Sequence, residues 1–551
     1  MSKKTIILAV FIIFALCCDC GAFDNKNTHR DITERAFDKS ELKNWLTDDL
    51  GLTLELPNGY DTMLNGQTVI WWLQYGAEQE DEPVCRASNH FHDPLKSWDS
   101  SYMSGDIDIV SLAIRSICAD EGWPPEERES AIIWATDNTN NIWGWKRARE
   151  YYYSALTSSL KNTRDVKLAD TFRGLGQVLH LLQDMAVPAH VRNDFKSHLT
   201  YIKKAESEKI TDNFGSLFEY YVQQHAETVT KASPVFPDFS ESGVLTADFW
   251  DKNIYTGDNP SYSRTQGLAE ITNANYFSEN TVPEKCRTPS YKYPEVAAPY
   301  KICEHEIVIY TTSGEGGDME TKYKRKYVTL DKDCSPAGAV GFLTNPDVFN
   351  AGLNIWNTFI WLDDKVHAKY AGDLCPLAVG YSAELINYFF RGSFDIIPDE
   401  NTGSGFVIEN SSPDNADGIF EIYYDKTDGE RVRIWGGNLA VAAGGKSSNV
   451  GDIIPPEDAE EPGKYILVFR GKLGEENDAV AGKFVTIEKH PYVIVNIAGY
   501  CTVWDPVSKK IPEITDPVSQ MPVSLPCACS FTQFRNWLGT KNNVPAEQLY
   551  T

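Results

Sequence analysis

The sequence has little positive charge for its length. Its 551 residues carry 51 Lys and Arg against 78 Asp and Glu, a formal net charge of −27 at pH 7. So acidic a surface repels polyanions at long range and argues against extensive nucleic-acid binding. The net negative charge does not exclude a cleft in which bound metal ions attract a phosphate group.

Long apolar runs are scarce, and no strong Gly-x-Ser-x-Gly elbow of a serine hydrolase is present. The run Ile6–Leu16 is too short to cross a bilayer. It follows Lys3 and Lys4 and precedes a small-residue end, which is typical of a secretory signal. The sequence therefore predicts a signal peptide over 1–22, export to the periplasm or the extracellular space, and Phe23 as the new N-terminus.

Cysteine is infrequent, with twelve in the whole chain. Three of them lie within the predicted signal peptide and nine remain. Export permits disulfides, and an odd number leaves at least one thiol free or paired with another chain.

Hydrophobic spacing divides the rest of the chain into four segments. Three-to-four spacing predicts a mainly helical domain over 23–230 and closing helices over 346–400. Between them, 231–345 is rich in Pro, Tyr, Ser and Asn and is interpreted as an insertion or cap. Period-two alternation predicts a C-terminal all-β sandwich domain and tail over 401–551.

The predicted helices are Asp31–Phe37, Ile107–Cys118, Ala131–Leu160, Lys167–Asp184 and a last one from Asn345 to Arg391. The predicted strands are Ile419–Tyr424, Arg431–Trp435, Tyr465–Arg470, Lys483–Glu488 and Tyr492–Ile497. The insertion holds Cys286, Cys303 and Cys334, and Glu306–Leu330 within it is predicted to be a hairpin.

The segment from Leu179 to His190 carries the most chemistry. His180 and Asp184 stand one helical turn apart, so an imidazole and a carboxylate project from one face. Pro188 then bends or ends the helix, and His190 can return toward that face from another direction. Neutral nitrogens converging with a carboxylate oxygen are what a zinc ion binds.

Other residues with ligand chemistry lie upstream and downstream of this helix. Asp81 closes an acidic run, His90 opens His90-Phe91-His92-Asp93-Pro94, and Glu219 lies in an aromatic stretch. Seven of the ten histidines fall in the first 225 residues, and they are His29, His90, His92, His180, His190, His198 and His225. Such clustering is typical of a site assembled from several helices and loops.

With these residues, the chain resembles the zinc-dependent phospholipases C, the group that contains the clostridial alpha-toxin. It is more distantly similar to the single-strand-specific zinc nucleases. The shared motif is His-x3-Asp-x5-His, matched by His180, Asp184 and His190. The segment from His90 to Pro94 and Asn193 match the lipase branch, with His92 in a slot that is usually aromatic. The likeness covers about residues 23–230 and extends to the helix that ends at Arg391.

The resemblance implies a helical catalytic bundle with two or three zinc ions. It implies a first zinc on Asp81, His90, His180 and Asp184. It implies a second zinc on His29, on Asp184 as a bridge, and on the backbone amine and carbonyl of Phe23. It implies a third zinc on His190 and Glu219. Asp81 would also orient the attacking water as a base.

One position departs from the family pattern. The family has a histidine four residues before the equivalent of Glu219, and this chain has Gly215. Either His198 or Asp194 substitutes, or the third site is weak or empty. His225 is a poor substitute because six residues along a helix point it away from Glu219.

Other interpretations of single residues remain. His29 could be an ordinary surface residue, and Glu219 could belong to an aromatic core. Glu78 rivals Asp81 as the ligand of the acidic run. His92 is expected to pack or to contact substrate rather than to bind metal.

Three functions compete. The leading hypothesis is an exported phospholipase C-like hydrolase that uses metal-activated water on a phospholipid or other phosphate ester, with peripheral membrane contact. The second is a nuclease or nucleotidase on the same cluster, with a base held by Trp71, Trp72, Tyr151 or Tyr152. The third is a secreted binding protein with structural zinc. In the β domain, the acidic loops Pro455–Asp458 and Gly474–Asp478 would be either Ca²⁺ ligands or solvated loops.

Overall fold

The computed structural model describes part of the chain. Its residues are 27–52, 63–83, 85–103, 128–195, 197, 216–239, 243–258, 263–282, 291, 294, 302–313, 317–329, 336–340, 360–399, 405–451, 453, 456, 463–487, 493–497, 500–504, 514–515 and 522–523. Several sequence predictions lie outside it: the signal peptide, Phe23, the helix Ile107–Cys118, His198, Gly215, Cys286, Cys334 and most of the loop Pro455–Asp458.

The chain divides into two compact units. The first comprises Met1–Lys43, Leu56–Ala148 and Ala169–Tyr388, and the second comprises Asn44–Glu55, Arg149–Leu168 and Phe389–Thr551. Helices dominate the described N-terminal region, and antiparallel strands dominate the C-terminal region.

The helices have the following bounds: α1 Thr28–Lys39, α2 Val69–Gln79, α3 Ala131–Thr136, α4 Trp145–Thr157, α5 Lys161–Gln183, α6 Pro188–Val191, α7 Leu217–Gln224, α8 Glu227–Thr230, α9 Leu268–Asn275 and α10 Asp364–Phe390. Short 3₁₀ turns cover Arg86–Asn89, Trp98–Ser100, Asp184–Ala186 and Thr246–Phe249, and a π-helical turn covers Trp45–Asp49. No described helix combines the length and the apolar character that crossing a bilayer requires.

A pair of glycines lets α2 and α5 cross with their backbones in contact. A methyl group added at Gly176 would lie 2.1 Å from the carbonyl oxygen of Leu73, and one added at Gly76 would lie 2.1 Å from that of Arg173. Backbone atoms cannot rotate away as a flexible side chain can. The crossing places Ala77, at the end of α2, beside the C-terminal half of α5.

Gly176→Ala is therefore expected to destabilise the protein by roughly 2 kcal/mol or more, because overpacking outweighs the gain in helix propensity. Gly372→Ala in α10 is the matched control, since no atom lies within 4 Å of its added methyl group. The control should be neutral or slightly stabilising. Denaturant midpoints of the two variants check this, and equal midpoints would contradict the tight crossing.

Two predicted helical segments differ in part from the structure. The helix predicted over Ala131–Leu160 is wrong in its middle, because α3 ends at Thr136 and α4 begins at Trp145. The side-chain oxygen of Asn138 accepts the backbone N–H groups of Asn140 and Asn141 at 2.6 and 3.1 Å. This local turn competes with the helix. In the segment predicted to be helical from Asn345 to Arg391, Ile360–Trp361 form a strand instead, and the helix α10 begins at Asp364.

The strands of the first unit are β1 Met63–Leu64, β2 Gln67–Thr68, β3 Ile302–Ser313, β4 Gly317–Thr329, β5 Pro336–Val340 and β6 Ile360–Trp361. β3 and β4 pair antiparallel from Ile302 opposite Val328 to Ser313 opposite Gly317. The predicted hairpin is thus confirmed for its two strands, and its turn lies outside the described residues. β3 to β6 form one sheet in that order.

The strands of the second unit are β7 Phe394–Pro398, β8 Phe406–Asn410, β9 Ala416–Asp425, β10 Arg431–Val441, β11 Gly463–Leu473, β12 Glu476–Ile487, β13 Val493–Ile497, β14 Tyr500–Trp504, β15 Ile514–Thr515 and β16 Pro522–Val523. The main sheet has the order β10-β9-β11-β12, and all its pairs are antiparallel. Gly429, with φ +85°, supplies the left-handed turn residue between β9 and β10.

One hydrophobic core joins strands β7 to β12 of the second unit. Phe420 and Phe469 of the main sheet pack with Phe394 and Ile408 of the β7–β8 hairpin. Antiparallel β structure after residue 392 is confirmed, and the closed sandwich stays a prediction. In the loop Gly474–Asp478, Glu476 is buried and pairs with Arg149 and Arg391 at 2.8 and 2.6 Å. The oxygens of Glu476 are therefore engaged by arginines, and calcium binding by the rest of this loop stays a prediction.

The cysteine prediction fits the described part of the chain. Cys375 in α10 is free and buried, and burial raises the pKa of its thiol to about 12. Cys85 and Cys303 are disulfide-bonded. The free thiol is therefore an inert part of the core.

Candidate metal centre

The C-terminal end of α5 forms the base of the centre. His180 and Asp184 project from one face, and both side chains are completely buried. After the 3₁₀ turn at Asp184, Val187 is extended and Pro188 opens α6. The chain therefore reverses, and His190 comes back to within 4.0 Å of Asp184 Oδ2.

Asp184 is the hub, with its two oxygens facing different histidines. Oδ1 lies 3.5 Å from His29 Nε2. Oδ2 lies 3.0 Å from His90 Nδ1 and 3.5 Å from His180 Nε2. A carboxylate with this arrangement can bridge two metal ions.

Asp81 also faces His90 and His180. Its Oδ1 lies 3.5 Å from His90 Nδ1, and its Oδ2 lies 3.7 Å from His180 Nε2. The side chain is 1 % exposed. Its rival Glu78 lies on the surface side, where it pairs with Arg30 at 2.6 Å. The geometry therefore favours Asp81 over Glu78 as the ligand of the acidic run.

The spacing of these atoms fits zinc. Two ligand atoms about 2.1 Å from an ion at a tetrahedral angle stand about 3.4 Å apart. Two described groups have all ligand atoms within 4.8 Å of one another, and they are His29, His180 and Asp184, and Asp81, His90 and His180. Within the described residues, His180 Nε2, both nitrogens of His90 and both oxygens of Asp184 have no hydrogen-bond partner. Buried nitrogen and oxygen atoms in this state can hold a cation.

Two of the histidines are oriented from behind by a hydrogen bond on the nitrogen that faces away from the centre. His29 Nδ1 lies 2.7 Å from Gln183 Oε1, and Gln183 in turn donates to Thr33. His180 Nδ1 lies 2.6 Å from the carbonyl oxygen of Ala77. Because these oxygens only accept, we assign the proton to Nδ1, which leaves the Nε2 lone pair for a metal.

His90 has the opposite orientation, and a carboxylate that the sequence reasoning missed lies behind it. Its Nε2 stands 3.8 Å from Glu80 Oε1. Glu80 is completely buried and accepts hydrogen bonds from Trp134 Nε1 at 2.7 Å and Arg86 at 2.5 Å. A carboxylate behind a ligand histidine is a common outer-sphere arrangement at zinc sites. The acidic run held this signal, but sequence alone does not tell which of its carboxylates are buried.

His190 and Glu219 form a separate pair near the hub. His190 Nε2 lies 3.4 Å from Glu219 Oε1, and both side chains are 2 % exposed. His190 Nδ1 donates to the carbonyl oxygen of His90 at 2.9 Å. Glu219 is fixed by a capping box with Ser216 at the start of α7. The pair offers two ligand atoms to a third ion.

The residues considered as substitutes do not add to this pair in the described structure. Asp194 accepts hydrogen bonds from the backbone and side chain of Asn280, at 2.9 and 2.8 Å. His225 stacks on Tyr221 and bonds its carbonyl oxygen. His198 lies outside the described residues. His92 is completely buried and bonds Asp251 and Ser101, so it packs as expected and is not a ligand of the centre.

Burial and neighbouring charge set the protonation states of the centre. Burial, and after it the charge of His29, lowers the pKa of His180 well below its usual value, against the pull of Asp184. Burial by itself would raise the pKa of Asp184, but His190 and His180 outweigh it and hold that pKa well below its usual value. His180 is therefore neutral and Asp184 ionised, which are the forms that can bind a metal ion. For His190, burial opposes protonation, but Asp184 and Glu219 raise its pKa to about 9.

This shift predicts how the metal-free protein responds to pH. The pKa of His190 is about 9 when folded, against 6.5 ordinarily. Its stabilising contribution is therefore fully present below pH 6.5 and is lost as the pH rises through 9. The shift corresponds to on the order of 3 kcal/mol. Denaturant midpoints of chelated protein at about pH 6 and about pH 9.5 measure the loss. His190→Gln should lack it, and an equal loss in both proteins would contradict the assignment.

Comparisons with known proteins add little to this geometry. No protein-family model matches the chain, and no curated protein matches it. Among solved structures, alpha-toxin of Clostridium perfringens from avian strain SWCP matches at 10 % identity, covering 85 % of this chain and 100 % of that chain, with a TM-score of 0.20. Alpha toxin from Clostridium absonum matches at 11 % identity with the same coverage and TM-score. Likeness at this level carries no argument, so the function is inferred from the side chains.

Proposed function

We propose that the protein is an exported zinc-dependent phosphoric ester hydrolase that acts on phospholipids as a phospholipase C. The observation that supports this most is Asp184, whose two buried oxygens face histidines from three separate segments. The acidic charge balance and the segment from His90 to Pro94 favour a lipid over a nucleic acid. The proposal includes peripheral contact with a membrane surface and a C-terminal β-sandwich.

The residues have separate tasks in the proposed reaction. Asp81, His90, His180 and Asp184 would hold one zinc, His29 and Asp184 a second with the backbone of Phe23, and His190 and Glu219 a third. Bound zinc lowers the pKa of a coordinated water and stabilises charge on phosphoryl oxygens. Asp81 would accept the water proton and aim the oxygen at phosphorus, which requires its carboxylate to be ionised. The bond between phosphorus and the glycerol oxygen would break as that oxygen takes up a proton from solvent, and the products would be a diacylglycerol and a phosphorylated head group.

The first test is head-group release from phosphatidylcholine vesicles by protein that begins at Phe23. Release should be abolished by a chelator and restored by zinc. Asp81→Asn should lose most of the activity, whereas Glu78→Gln, three residues earlier and outside the centre, should keep it. A protein that holds zinc and releases nothing would overturn the phospholipase proposal.

In that outcome, single-stranded DNA is the next substrate to try, because the nuclease alternative uses the same cluster. Of the aromatic residues considered for a base, Tyr152 is completely buried, and Trp71 stacks on Tyr75 with ring centroids 4.7 Å apart. Tyr152 is therefore unable to receive a base. Zinc without any hydrolysis would favour the binding-protein alternative.

A further inference from the structure

The dipeptide Trp250–Asp251 lies in the segment that the sequence presents as an insertion, yet it contacts two segments that carry metal-centre residues. Asp251 is completely buried. Its Oδ2 accepts from His92 Nε2 at 3.0 Å and from Trp98 Nε1 at 3.1 Å. Its Oδ1 accepts from the backbone N–H of Asn253 at 2.7 Å. Both carboxylate oxygens therefore accept from protein donors, and the group serves as an internal hydrogen-bond acceptor.

His92 connects this carboxylate to the ligand histidines. It stands two residues after His90, and its backbone N–H donates to the carbonyl oxygen of His190 at 3.2 Å. The ring of His190 in turn donates to the carbonyl oxygen of His90. Ser101 bonds the second nitrogen of His92 at 3.0 Å. A displacement of His92 would therefore move both His90 and His190.

The Ser101–His92–Asp251 chain contains the residue types of a hydrolytic triad. Ser101 is completely buried, and its single hydroxyl hydrogen lies between His92 Nδ1 and the carbonyl oxygen of Trp98, which are 3.0 and 2.9 Å from Oγ. A substrate has no access to such a hydroxyl. These hydrogen bonds between Ser101, His92 and Asp251 thus hold the segment from 90 to 93 in place.

Trp250 reaches the other ligand segment. Its side chain is completely buried, and Nε1 donates to the carbonyl oxygen of Leu181 at 3.1 Å. Leu181 follows His180 in the last turn of α5, where the carbonyl groups lack partners within the helix. Trp250 therefore fixes the end of α5 from which His180 and Asp184 project.

The dipeptide is itself held rigidly. The backbone N–H of Ala269 in α9 donates to the carbonyl oxygen of Trp250 at 2.9 Å. Glu270 accepts from the backbone N–H groups of Lys252, Ile254 and Tyr255 at 3.0, 2.6 and 2.6 Å. A methyl group added at Gly267 would lie 2.3 Å from the Trp250 carbonyl oxygen. Dense backbone contact of this kind leaves little room for movement.

We propose that Trp250 and Asp251 are positioning residues of the metal centre, and that they hold the segments of His90 and of His180 in register before any ion binds. This inference rests on the metal centre of the proposed function, and it does not depend on which phosphate ester is cleaved. Without the contacts of Trp250 and Asp251, part of the free energy of metal binding would be used to order His90 and His180, and the affinity for the metal would fall. Outer-sphere changes at metal sites typically cost about 10–100-fold in affinity.

The test compares Asp251→Asn with Asp248→Asn in protein that begins at Phe23. Asp248 lies three residues earlier, and its carboxylate accepts from the backbone N–H of Leu245 at an exposed turn. Zinc affinity is measured by competition with a chelating dye. Asp251→Asn should bind zinc about 10–100-fold more weakly, while the control should change affinity less than about threefold. The visible spectrum of the Co²⁺-loaded protein should also shift in Asp251→Asn at saturating metal.

A second pair of variants keeps the inference testable if Asp251→Asn fails to fold. In His92→Gln the side-chain amide can still donate to Asp251, so this variant should keep nearly the wild-type affinity for zinc. In His92→Leu that donor is lost, so its affinity for zinc should fall. Wild-type affinity and an unchanged Co²⁺ spectrum in Asp251→Asn, or equal affinities of the two His92 variants, would overturn the positioning role.

The outcomes separate the two proposals. A wild-type protein that binds zinc but hydrolyses nothing refutes the phospholipase proposal, and the affinity measurements still decide the positioning role. A wild-type protein that hydrolyses phospholipid while Asp251→Asn keeps full affinity refutes only the positioning role. A wild-type protein that binds no zinc refutes both.

Discussion

Asp184→Asn is expected to remove zinc from the protein and to reduce hydrolysis by roughly 10³-fold or more. The side chain faces His29 with one oxygen and His90 and His180 with the other. An asparagine has one oxygen and one NH₂ group, so it loses the bridge, and its donor hydrogens would point at a cation. Zinc content by elemental analysis and phosphorylcholine release measure the two effects.

The matched control is Asp165→Asn, on the same helix α5. Asp165 pairs with Lys161 at the surface, so its loss should cost a few tenths of a kcal/mol. Both variants should fold, because an asparagine side chain is uncharged but has nearly the same size and shape as the aspartate that it replaces. Asp184→Asn protein with full zinc content would show that the hub is not a ligand.

Removing the metal is expected to have the second largest effect, this time on stability. An ion that binds only the folded protein stabilises it by about 2.7 kcal/mol at a free concentration 100-fold above its Kd. For the first unit, which is larger than 250 residues, that corresponds to a rise in Tm of roughly 4 °C. In the chelated protein, Asp81 and Asp184 lie buried and face the same two histidines without a cation between them. Calorimetry of chelated and zinc-loaded protein measures the difference.

The same experiment distinguishes zinc from other cations. Mg²⁺ prefers six oxygen ligands and keeps part of its water, so a centre rich in imidazole should not respond to it. The Asp184→Asn protein should show no rise with zinc. A Tm that is unchanged by the chelator in the wild-type protein would mean that the buried cluster is stable without metal.

Local patterns predicted those parts of the centre that depend on nearby residues. The four-residue spacing of His180 and Asp184 determines their common face, and Pro188 determines the reversal that returns His190. Alternation likewise predicted β9 and β10. In each case the physical cause lies within about ten residues of chain.

Contacts between distant residues were not predictable in the same way. Glu78 and Glu80 are two residues apart in one acidic run, yet one pairs with Arg30 at the surface and the other is buried behind His90. The contact of Asp251 with His92 joins residues 159 positions apart. No periodicity reports such a pairing, because it is decided by how helices and loops pack.

The glycine pair at the crossing of α2 and α5 has a consequence for proton chemistry. Ala77 follows Gly76 directly, and its carbonyl oxygen reaches His180 Nδ1 at 2.6 Å only because the two backbones touch. A side chain at either glycine would push the helices apart and open this hydrogen bond. His180 could then place its hydrogen on either ring nitrogen, and in one tautomer that hydrogen would point at Asp81 and Asp184. The lack of a side chain at Gly76 and Gly176 thus determines which ring nitrogen of His180 is free to bind a cation.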